Sequence, residues 1–153
     1  RNEWPSITAC RFVAYQMDKH GSCSMFTYKG KNGPFDYFRT ALYLYEKVNY
    51  WKLLQESALK VETNKLYKIV DIKKVLQNIV GIEPSVVCKN RKSIYEIRFC
   101  YDTNSNKYDP QMIKCPDKIY YYDGSKCDEE ALFVTYPEFL RHPETIPRNN
   151  CPY

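Results

Sequence analysis

The stretch FVAYQMDKHGSC, Phe12 to Cys23, decides how this chain is read. The chain holds only two histidines, and one of them, His20, stands here between Lys19 and Gly21. An imidazole can give or take a proton near neutral pH. A neighbouring ammonium can hold a phosphate or offset developing negative charge. On a regular helix, residues four apart share a face, which pairs Gln16 with His20 and Tyr15 with Lys19. The stretch therefore predicts a polar cluster at a helix end. Taken alone it is more often the pattern of a structural histidine, because acid–base work needs a second positioned group.

The flanks divide into a helical half and a strand-rich half. Residues 7–21, ITACRFVAYQMDKHG, predict a helix ended by Gly21, and KGKNGPF at 29–35 is a break. Residues 35–59 carry the strongest helical signal, with Phe38, Leu42, Tyr45 and Val48 along one face and Asn49 as a divider before a shorter helix. DIKKVLQNIVG predicts a third helix with Asp71 as N-cap, an apolar face of Ile72, Val75, Leu76 and Ile79, and Gly81 at its stop. Strands are then expected at 83–89, 93–102, 118–122 and 131–136, the second with Tyr95, Ile97, Phe99 and Tyr101 at period two. Helices followed by strands predict an α+β domain, and 153 residues fit one domain.

Composition narrows the classes. The net charge of +5 is mildly basic and suits a polyanionic ligand such as RNA, but the cations are scattered and form no nucleic-acid-binding arm. No apolar run is long enough to span a bilayer, so no membrane partner is expected. Seven cysteines without a C-x-x-C pair, and two histidines, do not make a zinc-finger pattern, and no metal is expected. They predict a disulfide framework and an oxidising location, secreted or vacuolar. Seven is odd, so at least one cysteine pairs outside the chain or stays free.

Taken in order, NEWPS (2–6), RFVAYQMDKHGSC (11–23), FDYFRTAL (35–42), WKLLQESAL (51–59), the aspartate-led helix, G-x-x-P-x-x-x-C (81–88), SIYEIRFCYD (93–102), IKCP (113–116) and LFVTYP (132–137) resemble the ribonuclease T2 family in its plant secreted and self-incompatibility-type form. One of that family's two blocks reads F-W-x-H-E-W-x-K-H-G-[TS]-C, against FVAYQMDKHGSC here. The resemblance covers nearly the whole chain as the C-terminal portion of one T2-like domain, residues 1–153. It implies helices followed by an antiparallel sheet, stapled by disulfides. It also implies an endoribonuclease without cofactor or metal, in which two histidines serve as acid and base. The RNA 2′-hydroxyl would attack its own phosphate, giving a 2′,3′-cyclic phosphate and a 5′-hydroxyl end. DNA is no partner for such chemistry.

By the same resemblance His20 and Lys19 are the candidate catalytic residues, and Tyr15 and Gln16 the candidate phosphate-binding ones. Three departures bear on activity. The family's other histidine block, H-G-L-W-P, lies upstream of the W-P element matched by Trp4-Pro5, and no such string occurs in these residues; His142 matches no family position. Tyr15 replaces a histidine and so carries no charge near neutral pH. Gln16 replaces a glutamate, and an amide cannot bias a neighbouring pKa as a carboxylate does. Met17 replaces a tryptophan, a change of packing.

The resemblance also implies the disulfides Cys88–Cys127 and Cys100–Cys115, one nested in the other. Cys10, Cys23 and Cys151 are left as candidates for an interchain disulfide to an N-terminal chain of the same precursor, with a bridge of Cys10 to Cys23 or Cys151 as the alternative. The expectation is a T2 scaffold with reduced or lost ribonuclease activity that draws its second histidine from a companion chain. The alternative is a non-catalytic storage, lectin-like or defence protein. A further reading makes the loop at 28–34 a recognition surface.

Overall fold

The computed structural model describes residues 12–116 and 125–135. The expected strand at 118–122, Cys10, Cys151 and His142 lie outside them. The chain divides into two compact units, with the division between Arg39 and Thr40.

In the first unit, α1 (Phe12–Gln16) runs into a π turn (Met17–Gly21) and a 3₁₀ turn (Ser22–Ser24). Gly21 does not stop the helical path, contrary to expectation. Its φ of −74° is right-handed, and Ser24 Oγ donates to its carbonyl at 2.6 Å. The absence of a Cβ is used for packing, because a side chain there would meet the Met17 thioether and the Tyr37 ring. The break at 29–35 is a turn: Gly30 has φ +81°, and the Gly33 amide donates to its carbonyl at 3.0 Å. There α2 (Gly33–Lys47) begins. Gly33 is required at this point because a Cβ would collide with the Tyr28 carbonyl. Tyr28 is buried and stands edge-on to Tyr37, their ring centroids 5.9 Å apart.

The second unit takes up the rest of α2. Along its predicted face, Leu42 and Tyr45 stay 37% exposed, whereas Thr40, off that row, is buried. The helix's own period fixes which residues share a face, but neighbours decide which face is covered. Asn49 divides the helices as expected. Its side-chain oxygen accepts from the Lys52 amide at 3.1 Å and caps α3 (Tyr50–Glu56).

A three-residue strand, β1 (Leu66–Lys68), leads into α4 (Ile69–Val80) without a loop. Asp71 therefore does not cap α4; it lies in the first turn, and Lys68 holds the cap position. The Ile69 amide is satisfied instead by the Glu129 carbonyl at 2.9 Å, so strand pairing replaces a side-chain cap. Asp71 still places a carboxylate where the helix dipole favours one. Gly81, at φ +85°, ends α4 by donating to the Gln77 carbonyl.

One sheet has the order β1–β6–β3–β2, with β2 at Ser85–Lys89, β3 at Ser93–Arg98 and β6 at Glu130–Phe133. The β3–β6 pair is parallel and the other two are antiparallel. The expected strand at 93–102 breaks after Arg98, and its end, β4 (Cys100–Asp102), pairs with β5 (Gln111–Ile113) in a separate hairpin. The period-two expectation also shifts. Val87 pairs with Glu96 and Cys88 with Ile94, leaving Tyr95 as an extra residue. This bulge turns Tyr95 outward, 69% exposed, and lets Ile94 and Ile97 both reach the core. Leu54, Val61, Ile72, Leu76, Val86 and Phe133 centre that core, with Trp51 edge-on to Phe133 at 5.3 Å. Disulfides join Cys88 to Cys127 and Cys100 to Cys115, the two nested pairs that the resemblance implies.

Candidate active site

The candidate residues are carried by the α1–π–3₁₀ segment of the first unit. Tyr15 and Gln16 are half-buried near the end of α1, while Lys19 and His20 are exposed on the π turn. The Ser22 amide closes that turn by donating to the Met17 carbonyl, five residues back rather than four. The four-residue spacing of Gln16 and His20 therefore no longer makes one turn, and the face assumed for a regular helix is offset. Turns of this kind are uncommon and recur at functional sites.

The turn is held from below and from the side. Gly21 is buried against Met17 and Tyr37, which gives the methionine a packing role. Ser22 Oγ donates to the Asp18 carbonyl at 2.9 Å. These contacts fix the backbone and leave the Lys19 and His20 side chains turned outward. Among the described residues neither takes part in a hydrogen bond or an ion pair. Both are thus available to a ligand from solvent.

Tyr37 belongs to this site although no motif points to it. Burial pushes its hydroxyl above the ordinary 10.0, and Tyr28 and Cys23 add to the shift. It stays a neutral donor at any physiological pH. Nothing in the local pattern could have singled it out, since the contact depends on the fold-back at 28–33. Cys23 is exposed and carries no disulfide. Among the described residues, no group of three or more His, Cys, Asp or Glu side chains could hold a metal ion. Nor is any helix there long and apolar enough to cross a membrane.

The second unit has a cavity of about 250 Å³ beside the β2–β3 bulge, lined by Lys89, Tyr95, Glu96, Arg98 and Ser125. Of the candidate site residues only Cys88 reaches it, through the disulfide.

Comparison with known proteins agrees with these features. The sequence model of the Ribonuclease T2 family matches residues 1–115. Ribonuclease 3 of Arabidopsis thaliana is 27% identical over 148 residues, which cover 91% of this chain and 60% of that protein. An RNase-related protein from Calystegia sepium shares the fold with TM-score 0.62 and 27% identity, over 80% of this chain and 53% of that one. RNase NT, solved in complex with 5′-AMP, has TM-score 0.61 and 26% identity over 82% and 58%. The helical entry, the mostly antiparallel sheet and the nested disulfides define an α+β scaffold of ribonuclease type. The chain belongs to the ribonuclease T2 family. It spans about three-fifths of the length of the curated relatives it matches.

Proposed function

We propose that this chain is part of an RNA-binding endoribonuclease of the T2 type, with His20 as one of two acid–base groups. The observation that carries the reading is the Lys19–His20 pair, exposed on a rigidly held π turn inside the region matched to the family. In the proposed reaction a base removes the proton of the RNA 2′-hydroxyl, whose oxygen forms a bond to its own phosphorus. The bond from phosphorus to the 5′-oxygen breaks, and an acid protonates that oxygen. The products are a 2′,3′-cyclic phosphate and a free 5′-hydroxyl. His20 moves one of these two protons. Lys19 offsets charge on the phosphorane oxygens, and Gln16 and Tyr15 donate hydrogen bonds to them. DNA lacks the nucleophile and is not cut.

The second histidine comes from a companion segment, with Cys23 as the anchor of an interchain disulfide. Its exposed thiol supports this. Intact mass before and after reduction tests it: a mass unchanged by reductant, apart from protons, refutes a second chain. The disulfides support a secreted or vacuolar location. Because Tyr15 and Gln16 leave a weaker anion site, activity is expected to be reduced. His20→Ala should lower RNA cleavage by roughly 10²- to 10⁴-fold, the usual weight of a positioned acid or base. An unchanged rate would remove His20 from the mechanism.

The second reading, a non-catalytic storage, lectin-like or defence protein, rests on those two substitutions and on the likeness to the RNase-related protein. Absence of cyclic-phosphate products from intact material decides for it.

A further inference from the structure

Among the described residues of the first unit, four large apolar side chains face solvent: Val13, Met25, Phe26 and Phe35. Phe26 is 86% exposed and Phe35 67%. Scattered exposed hydrophobes need no explanation, but these two phenyl rings flank one loop. Each lies two residues from the point where the Tyr28 carbonyl packs on Gly33, so at most about 7 Å of chain separates either from that contact. The loop is held in shape by that contact, by the Tyr28–Tyr37 ring pair and by the turn at Gly30. The rings are therefore presented on a fixed mount.

The charges around them have one dominant sign. Residues 22–39 hold Lys29, Lys31 and Arg39 against the single carboxylate of Asp36. Asp36 is within 3.3 Å of Arg39, whose guanidinium also lies 5.8 Å from the Phe35 ring centre. Lys29 and Lys31 are exposed, and among the described residues neither makes an ion pair. Phe26 follows His20 by six residues of turn and 3₁₀ backbone. At a rise of 1.5–2.0 Å per residue this puts it on the order of 10 Å along the chain path from the imidazole.

We infer that Phe26 and Phe35, with Lys29 and Lys31, form a stacking platform for single-stranded RNA bases outside the scissile bond. A ring face accepts any base, and the two ammonium groups meet the phosphates that accompany it. A docked protein would find the same apolar rings, but the excess of cations matches a polyanion better. The platform deepens the ribonuclease reading and rests on it for its substrate.

The test is binding of a fluorescein-labelled ten-nucleotide 2′-O-methyl oligouridylate to the intact protein at low salt. The blocked 2′-oxygen prevents cleavage, so binding is read apart from catalysis. Phe26→Ala and Phe35→Ala should each weaken binding about 5- to 100-fold, the weight of one stacked base, and Phe26→Trp should retain it. The double variant Lys29→Ser, Lys31→Ser should reduce the slope of log affinity against log salt by about 1.4, at roughly 0.7 per single-strand phosphate contact. Because both rings are exposed, melting temperatures should be unchanged. Parent protein that does not bind the oligomer, or alanine variants that bind it as the parent does, overturns the platform; the latter is also what a protein-docking surface would give. Loss of cleavage in His20→Ala alone bears on the catalytic reading and leaves this result to stand by itself.

Discussion

At the scale of single residues, the burial of side chains separates roles that residue type leaves mixed. Lys19 and His20 are exposed on a turn closed by the Ser22 amide on the Met17 carbonyl, and among the described residues their side chains make no hydrogen bond or ion pair. Thr40 is the converse case. It is 4% exposed, and among the described residues its hydroxyl has no hydrogen-bond partner. A buried, unpaired hydroxyl costs about 1–3 kcal/mol relative to an apolar group of the same shape. Thr40→Val should therefore raise the melting temperature by several degrees, with a gain on the order of 1 kcal/mol. Thermal unfolding followed by far-UV circular dichroism checks it. A fall would mean that the hydroxyl is satisfied in solution.

At the scale of elements, the sequence of α4 predicts a stripe of four apolar residues, and the structure uses it unevenly. Ile72 and Leu76 are completely buried, Val75 packs partly against the core, and Ile79 remains 48% exposed. Leu76→Ala is expected to cost about 2–5 kcal/mol, as for a buried leucine, and Ile79→Ala less than about 1. Urea unfolding of the two variants checks the contrast, and equal losses would contradict the burial.

The α2 helix and the β4–β5 loop are tied on the surface by Asp109, which accepts from Lys47 Nζ at 2.6 Å and from the Tyr43 hydroxyl at 3.2 Å. The bond from Lys47 holds the carboxyl of Asp109 below its ordinary 3.8, and the same bond raises the Lys47 ammonium. A lowered carboxyl contributes stability above its unfolded pKa and loses it as pH falls through the folded value. The acid-side fall in melting temperature should thus be shallower in Asp109→Asn than in the parent. Both groups are exposed, so the difference should shrink in high salt. Superimposable melting curves against pH in low salt would show that the pair contributes nothing.

For the whole molecule, the two disulfides among the described residues enclose most of the strand-rich half. They close sequence separations of 39 and 15 residues. Loop-closure entropy assigns about 4 and 3 kcal/mol to loops of that size. Cys88 is also part of the core. Replacing Cys88 and Cys127 by Ala should lower stability by more than replacing Cys100 and Cys115, measured by urea unfolding at fixed pH. The opposite order would mean that the small hairpin, not the core staple, limits stability.

Local sequence was sufficient wherever the determining interaction is local. Asn49 caps its own helix and Gly81 adopts the left-handed backbone that ends α4, each through groups within four residues. The order of helices and strands carried the α+β class, and the family blocks pointed to Lys19 and His20. Tertiary structure alone decided the rest, because the deciding partner is distant in the chain. Strands β1 and β5 are three residues each, too short for a pattern, and exist through pairing with Leu132 and its neighbours or with β4. The Glu129 carbonyl, not Asp71, serves the start of α4, and the bulge in β3 turns Tyr95 outward and Ile94 inward while Ile97 keeps its place against the core. The Tyr28–Gly33 fold-back brings Tyr37 beneath Gly21 and holds the phenyl rings of Phe26 and Phe35 in water. A residue's chemistry is written in its side chain; the company it keeps is set by packing between segments that no local window contains.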